Sequence, residues 1–212
     1  MPPYKVHHFC GDADAAGVMS ETALMDSSYH ISLVRRVRTV HTLYLEAVDS
    51  MTLAHVNHVA HEGVLPIAFS LVHQVLIEDA SRTLAGGSAQ VFNDQWAKRI
   101  GLGVPTDGKE ETVEVMMHQR IGEYDAFREL QSAVFSQTEA YLASLEPDRF
   151  DELLVTPPYP PRLANTFSAR LGGDVGITRA DAIESWIYQH ALRHLGEIEH
   201  ARSLVGLGGL TS

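Results

Sequence analysis

The sequence predicts an all-α protein, a four-helix bundle with long crossover connections and an N-terminal arm. Four stretches carry apolar residues every three or four positions, none shows the alternation of a half-buried strand, and two long Gly- and Pro-rich segments separate them. At 212 residues the chain suits one large domain, and no repeat argues for a solenoid.

Residues 1–26 have no sustained period, and Gly11-Asp12-Ala13-Asp14 with Gly17 reads as a loop or loose arm, so an N-terminal arm is expected over 1–28. Asp26-Ser27-Ser28 are good N-cap residues before Ile31, Val34, Val37, Val40, Leu43 and Ala47, so the first helix is expected from about Tyr29 to about Ser50. The second runs from Leu65 to Leu84 through Phe69, Leu76, Ile77 and Ala80, and stops at Gly86-Gly87. Between Ala85 and Asp107 the period is lost, apart from a short turn expected around Trp96, and Gly101, Gly103, Pro105 and Gly108 punctuate a crossing. The third helix is expected from about Glu110 through Val113, Met117, Ile121, Phe127 and Val134 to Leu145, with Gly122 as a point of breakage. Pro157-Pro158, Pro160-Pro161 and Gly172-Gly173 make 147–177 a second crossing. Thr178 with Asp181 three residues on is a capping box opening a fourth helix to Gly206. The bundle thus covers 29–206, followed by a tail at 207–212.

Composition narrows the function. Twenty-seven acidic against sixteen basic side chains give a net charge of -11, which repels phosphate backbones and disfavours nucleic acid as a partner. Arg35-Arg36-Val37-Arg38 reads as a solvated helix face. No run of 18 apolar residues and no signal-peptide pattern occurs, so the expectation is a cytoplasmic protein with no membrane partner. Cys10 is the single cysteine, so no internal disulfide can form.

Twelve histidines are the compositional oddity. On a wheel of about 100° per residue, His194 and Glu197 fall within about 40° of His190, on the same stripe as Ile183, Trp186, Ile187, Ala201 and Leu204. His73 falls likewise among Phe69, Leu76, Ile77 and Ala80. Two inward imidazoles at i and i+4 need either separate hydrogen-bond partners or one shared metal ion, and neutral imidazole suits Zn²⁺, Ni²⁺ or Fe²⁺. The shared metal is the favoured of the two. His61-Glu62 begins like H-E-x-x-H, but Leu65 stands where the second His belongs. Glu197-Ile198-Glu199-His200 holds one Glu-x-x-His, and without a second one a carboxylate-bridged di-iron centre is not expected. Met116-Met117 read as core packing.

Leu65-Pro-Ile-Ala-Phe-Ser-Leu-Val-His73, with Tyr188-Gln-His190-Ala-Leu-Arg-His194-Leu-Gly196-Glu197-Ile and Arg202-Ser-Leu-Val-Gly206, resembles the DinB-like superfamily of metal-binding four-helix bundles. The resemblance covers about Tyr29 to Gly206, and the longer N-terminal arm and proline-rich second crossing depart from the family pattern. It implies that His73, His190 and His194 bind a divalent metal. It also implies a metal-dependent S-transferase or thiol-dependent isomerase using a low-molecular-weight thiol, or a non-catalytic binding bundle, and a homodimer. The Arg- and Ala-rich, Lys-poor composition points to mycothiol as the thiol. Cys10 stands far from His73, His190 and His194 in sequence, so an external thiol acting on a small electrophile is expected. Glu197 is the candidate catalytic residue, orienting an imidazole, bonding a metal-bound water or acting as a general base. The alternative pairs it with Arg193 or Arg202.

Overall fold

A computed structural model describes residues 21–109 and 111–210, and within them the protein is all-α with one small ribbon of strands. Most of the N-terminal arm, with Cys10, lies outside the described residues. Helix α1 spans Glu21–Asp49, so Asp26-Ser27-Ser28 sit within it, and the helix begins eight residues before the expected start at Tyr29. Good N-cap residues cost a helix interior only a few tenths of a kcal/mol each, and Glu21, Ala23, Leu24 and Met25 are strong helix formers. The inward stripe of α1 is Leu33, Val37, Val40, Tyr44, Ala47 and Val48.

Thr52 caps the single turn α2 (Leu53–Val56), and Pro66 precedes α3 (Ile67–Leu84). Helix α3 ends where Gly86 takes φ 95°, which a side chain would strain. Asn93 accepts from the Gln95 and Trp96 amides to open α4 (Asp94–Ile100), the turn expected near Trp96. The expected third helix is two, α5 (Val113–Met116) and α6 (Tyr124–Ser144). Between them the backbone bonds to the first crossing instead of to itself. The Gly103 amide donates to the Arg120 carbonyl at 3.0 Å, the Gly122 amide to the Ile100 carbonyl at 3.0 Å, and the Gln119 side chain spans both backbone groups of Val104. At Gly103 a Cβ would stand 2.3 Å from the His118 carbonyl oxygen, so only glycine permits this approach. Met116, the last residue of α5, and Met117 after it lie half-buried rather than in the core.

The second crossing carries β1 (Leu153–Val155), α7 (Pro161–Ala164) and α8 (Phe167–Gly172), and β2 (Ile177–Thr178) returns antiparallel to β1. Strands of three and two residues are too short to show alternation, which is why the sequence did not announce them. The Thr178–Asp181 capping box then opens α9 (Arg179–Ala182). The helix continues through a π-helical segment, Ile183–Tyr188, into α10 (Gln189–Leu204). Residues 207–210 are no free tail: Leu207 and Leu210 pack on the core, the Leu210 amide donates to the Glu199 carboxylate, and Arg202 Nε donates to the Gly208 carbonyl.

Cross-helix bonds fix the directions. Tyr29–Glu184, Tyr44–Ala191 and Ser50–Arg202 rise together, so α1 and α10 run parallel. His30–Leu142, His41–Glu139 and Val48–Tyr124 oppose, so α6 is antiparallel to α1; Ser70–Glu197 with His73–His190 sets α3 antiparallel to α10. It follows that α3 and α6 are parallel neighbours, and the chain between them must travel the length of both. That requirement accounts for the long first crossing, which the fold uses to roof one end of the α3–α10 groove.

A buried ion pair pins this crossing. Asp79 accepts from Arg82 at 2.5 Å and from the Val91 and Phe92 amides at 2.8 Å each, and Arg82 donates to the Ser88 carbonyl at 2.6 Å. A second network joins α1, α3 and α6: buried His41 touches Glu139 at 2.8 Å and Glu78 at 3.0 Å and stacks on Phe135. Burial alone would lower its pKa, but the two carboxylates outweigh burial and raise it above 6.5. A folded-state pKa above the unfolded value contributes stability that is complete below about pH 6.5 and is lost as pH rises through the raised value. Urea midpoints of the wild type should therefore fall from pH 6 towards the alkaline side relative to His41→Gln. Parallel pH profiles for the two proteins would refute the charged imidazolium.

Candidate metal centre

The antiparallel pairing of α3 with α10 brings His73 to face His190 and His194. The π-helical segment ends directly before this pair; π segments add a residue to the turn and recur at functional sites. His73 Nε2 lies 3.3 Å from His190 Nε2, and His194 Nε2 lies 3.2 Å from the same atom. One ligand atom from each of the three histidines falls within 4.8 Å of the others, close enough to bind one metal ion.

The far side of each outer ring settles its tautomer. His73 Nδ1 bonds the Asp107 carbonyl oxygen, which can only accept, so Nδ1 carries the hydrogen and Nε2 a lone pair. His194 Nδ1 bonds Glu197 Oε2 at 2.6 Å, so in the neutral ring that a metal would require Nε2 keeps its lone pair, and Ser70 Oγ donates to that carboxylate at 2.9 Å. Burial pushes the His73 pKa down, and burial with the nearby His194 and His73 pushes that of His190 down to about 2. Two lone pairs are thus directed at His190 Nε2, which has at most one hydrogen to offer. One cation between the rings satisfies all three nitrogens. Metal–nitrogen bonds of about 2.0–2.1 Å in a tetrahedron place neighbouring nitrogens about 3.3 Å apart, close to both observed separations. The residues fit a divalent ion held by neutral imidazoles.

Glu197 is placed behind His194, on the ring nitrogen facing away from the cluster. Its hydrogen bond with His194 holds its pKa below the usual carboxylate value. Arg202, its expected alternative partner, instead reaches Ser50 and Gly208. Sequence reasoning missed Ser70 and Asp107. Ser70, one turn before His73 on α3, was within reach of the wheel; Asp107 acts through its backbone and leaves no side-chain signal. His55 and His61, between α1 and α3, make local contacts to Thr52 and Glu62 respectively.

A cavity of about 580 Å³ opens from His73 and His190 between α3, the second crossing and the π-helical segment. Its walls include Ile77, Leu84, Leu163, Phe167 and Trp186. Trp186 Nε1 donates to Ser168 Oγ at 2.7 Å, which fixes the indole. Among the described residues no helix is long and apolar enough to cross a membrane.

No family model and no curated protein matches the chain. Among solved structures, a conserved protein from Enterococcus faecalis is similar with a TM-score of 0.63, at 17% identity over 89% of this chain and 98% of that one. At that identity the likeness concerns the fold alone.

Proposed function

We propose that the chain is a DinB-like, divalent-metal-binding protein that catalyses transfer of a low-molecular-weight thiol to a small electrophile, or a thiol-assisted isomerisation. The observation that carries this reading is the convergence of three imidazole Nε2 atoms while the opposite nitrogens of His73 and His194 are committed to acceptors. A divalent ion among three neutral ligands keeps its positive charge and an open position, and lowers the pKa of a thiol that approaches it. The chain's own residues do the rest. His73, His190 and His194 hold the ion, Glu197 and the Asp107 carbonyl fix two ring orientations, and the cavity admits the electrophile beside His73 and His190. Glu197 Oε2 is engaged by Ser70 and His194, which suits a positioning role.

The test is an assay of protein loaded with Zn²⁺, Ni²⁺ or Fe²⁺ against mycothiol, bacillithiol and glutathione with a panel of electrophiles. His194→Ala should abolish turnover, while Cys10→Ser should leave it within about twofold. No turnover in any combination would favour a binding protein, and full activity in thiol-free, metal-stripped protein would overturn the mechanism.

A further inference from the structure

Acidic side chains outnumber basic ones 27 to 16 in this chain, yet the cavity beside the histidines inverts that balance. Lys109, Arg162 and Arg193 line it, and among the described residues no Asp or Glu side chain does. Lys109 Nζ lies 3.4 Å from the Arg162 carbonyl, and Arg162 donates to Asp107 at 2.6 Å, so the two crossings are tied together at this rim. Much of the rest of the lining is apolar. Leu84 is 65% exposed and Phe167 52% exposed, and both border the cavity. Trp186 has its one donor occupied by Ser168, so it offers the cavity only apolar surface.

We infer that the cavity binds an amphiphilic organic anion, with an aryl or alkyl body on Leu84, Phe167 and Trp186 and a carboxylate among Lys109, Arg162 and Arg193. A volume of about 580 Å³ fits a small-molecule ligand. This deepens the proposed function by giving the electrophile a chemical class, and it rests on that reading only for the ligand's role as substrate. Binding itself needs no turnover.

The experiment is a titration of Trp186 fluorescence in the Trp96→Phe background with 4-phenylbutyrate and its neutral counterpart 4-phenyl-1-butanol, in zinc-loaded and in chelator-treated protein. The carboxylate should bind about tenfold tighter or more in both forms, as charge-assisted hydrogen bonds allow. Arg193→Gln should shrink that ratio severalfold while leaving zinc stoichiometry and alcohol binding in place. Phe167→Ala should weaken both probes alike. Equal affinity for the two probes would overturn the inference, as would a preference unchanged by Arg193→Gln. A preference present only with zinc would overturn it too, because the carboxylate would then be recognised by the metal. Absent S-transfer with a retained carboxylate preference would defeat the proposed reaction and leave the anion site standing.

Discussion

Replacing His190 by Ala should abolish stoichiometric divalent-metal binding, the largest functional effect expected of any single substitution in this chain. His190 Nε2 is the atom that both other rings face, at 3.3 and 3.2 Å, so its loss removes a ligand and leaves His73 and His194 without their shared neighbour. Glu197→Gln should be milder. It exchanges the carboxylate accepting the His194 Nδ1 hydrogen for an amide, and groups supporting a ligand in this way are worth about 10–100-fold in affinity. Calorimetric titration with Zn²⁺ separates the two. An unchanged binding isotherm for His190→Ala, with helicity preserved by circular dichroism, would contradict the three-histidine site.

The largest expected loss of stability is for Asp79→Ala. Asp79 and Arg82 are both fully buried, and the carboxylate also accepts the Val91 and Phe92 amides. Removing it leaves the buried guanidinium without its counter-charge and two backbone donors without their acceptor, and breaking a buried pair from one side costs about 3–5 kcal/mol. Against a total stability of about 5–15 kcal/mol that is a large fraction. For a chain of this length it corresponds to a melting temperature lower by roughly 6–20 °C. Arg99→Ala is the contrast: its pairing with Glu129 is about half exposed on both sides, and such pairs contribute about 0–1 kcal/mol. Comparable melting temperatures for the two variants would show that the buried pair does not anchor the first crossing.

How much of this was legible in the sequence depended on whether the cause was local. The end of α3 at Gly86 and the start of α9 at Thr178 rest on residues within one turn of the boundary, and both could be read. The inward stripe carrying His73, His190 and His194 was legible because a helix fixes which side chains share a face. The break before α6 was only half legible. Gly122 marked the place, but the partners that replace helical bonds, Ile100 and Val104, stand some twenty residues away in sequence. The early start of α1 was missed because three residues that cap helices also tolerate helix interiors. The Asp107 carbonyl was invisible for a different reason: every residue has a carbonyl, and only the path of the first crossing directs this one at His73.

The central claim is that one divalent ion is held by three specific imidazoles, and X-ray absorption at the metal edge of zinc-loaded protein tests it most directly. The account predicts one zinc per chain with three imidazole nitrogens at about 2.0–2.1 Å. The imidazole signal should be absent in the combined His73→Ala, His190→Ala and His194→Ala variant. Fewer than three imidazoles around the ion, or the same spectrum from the triple variant, would contradict it.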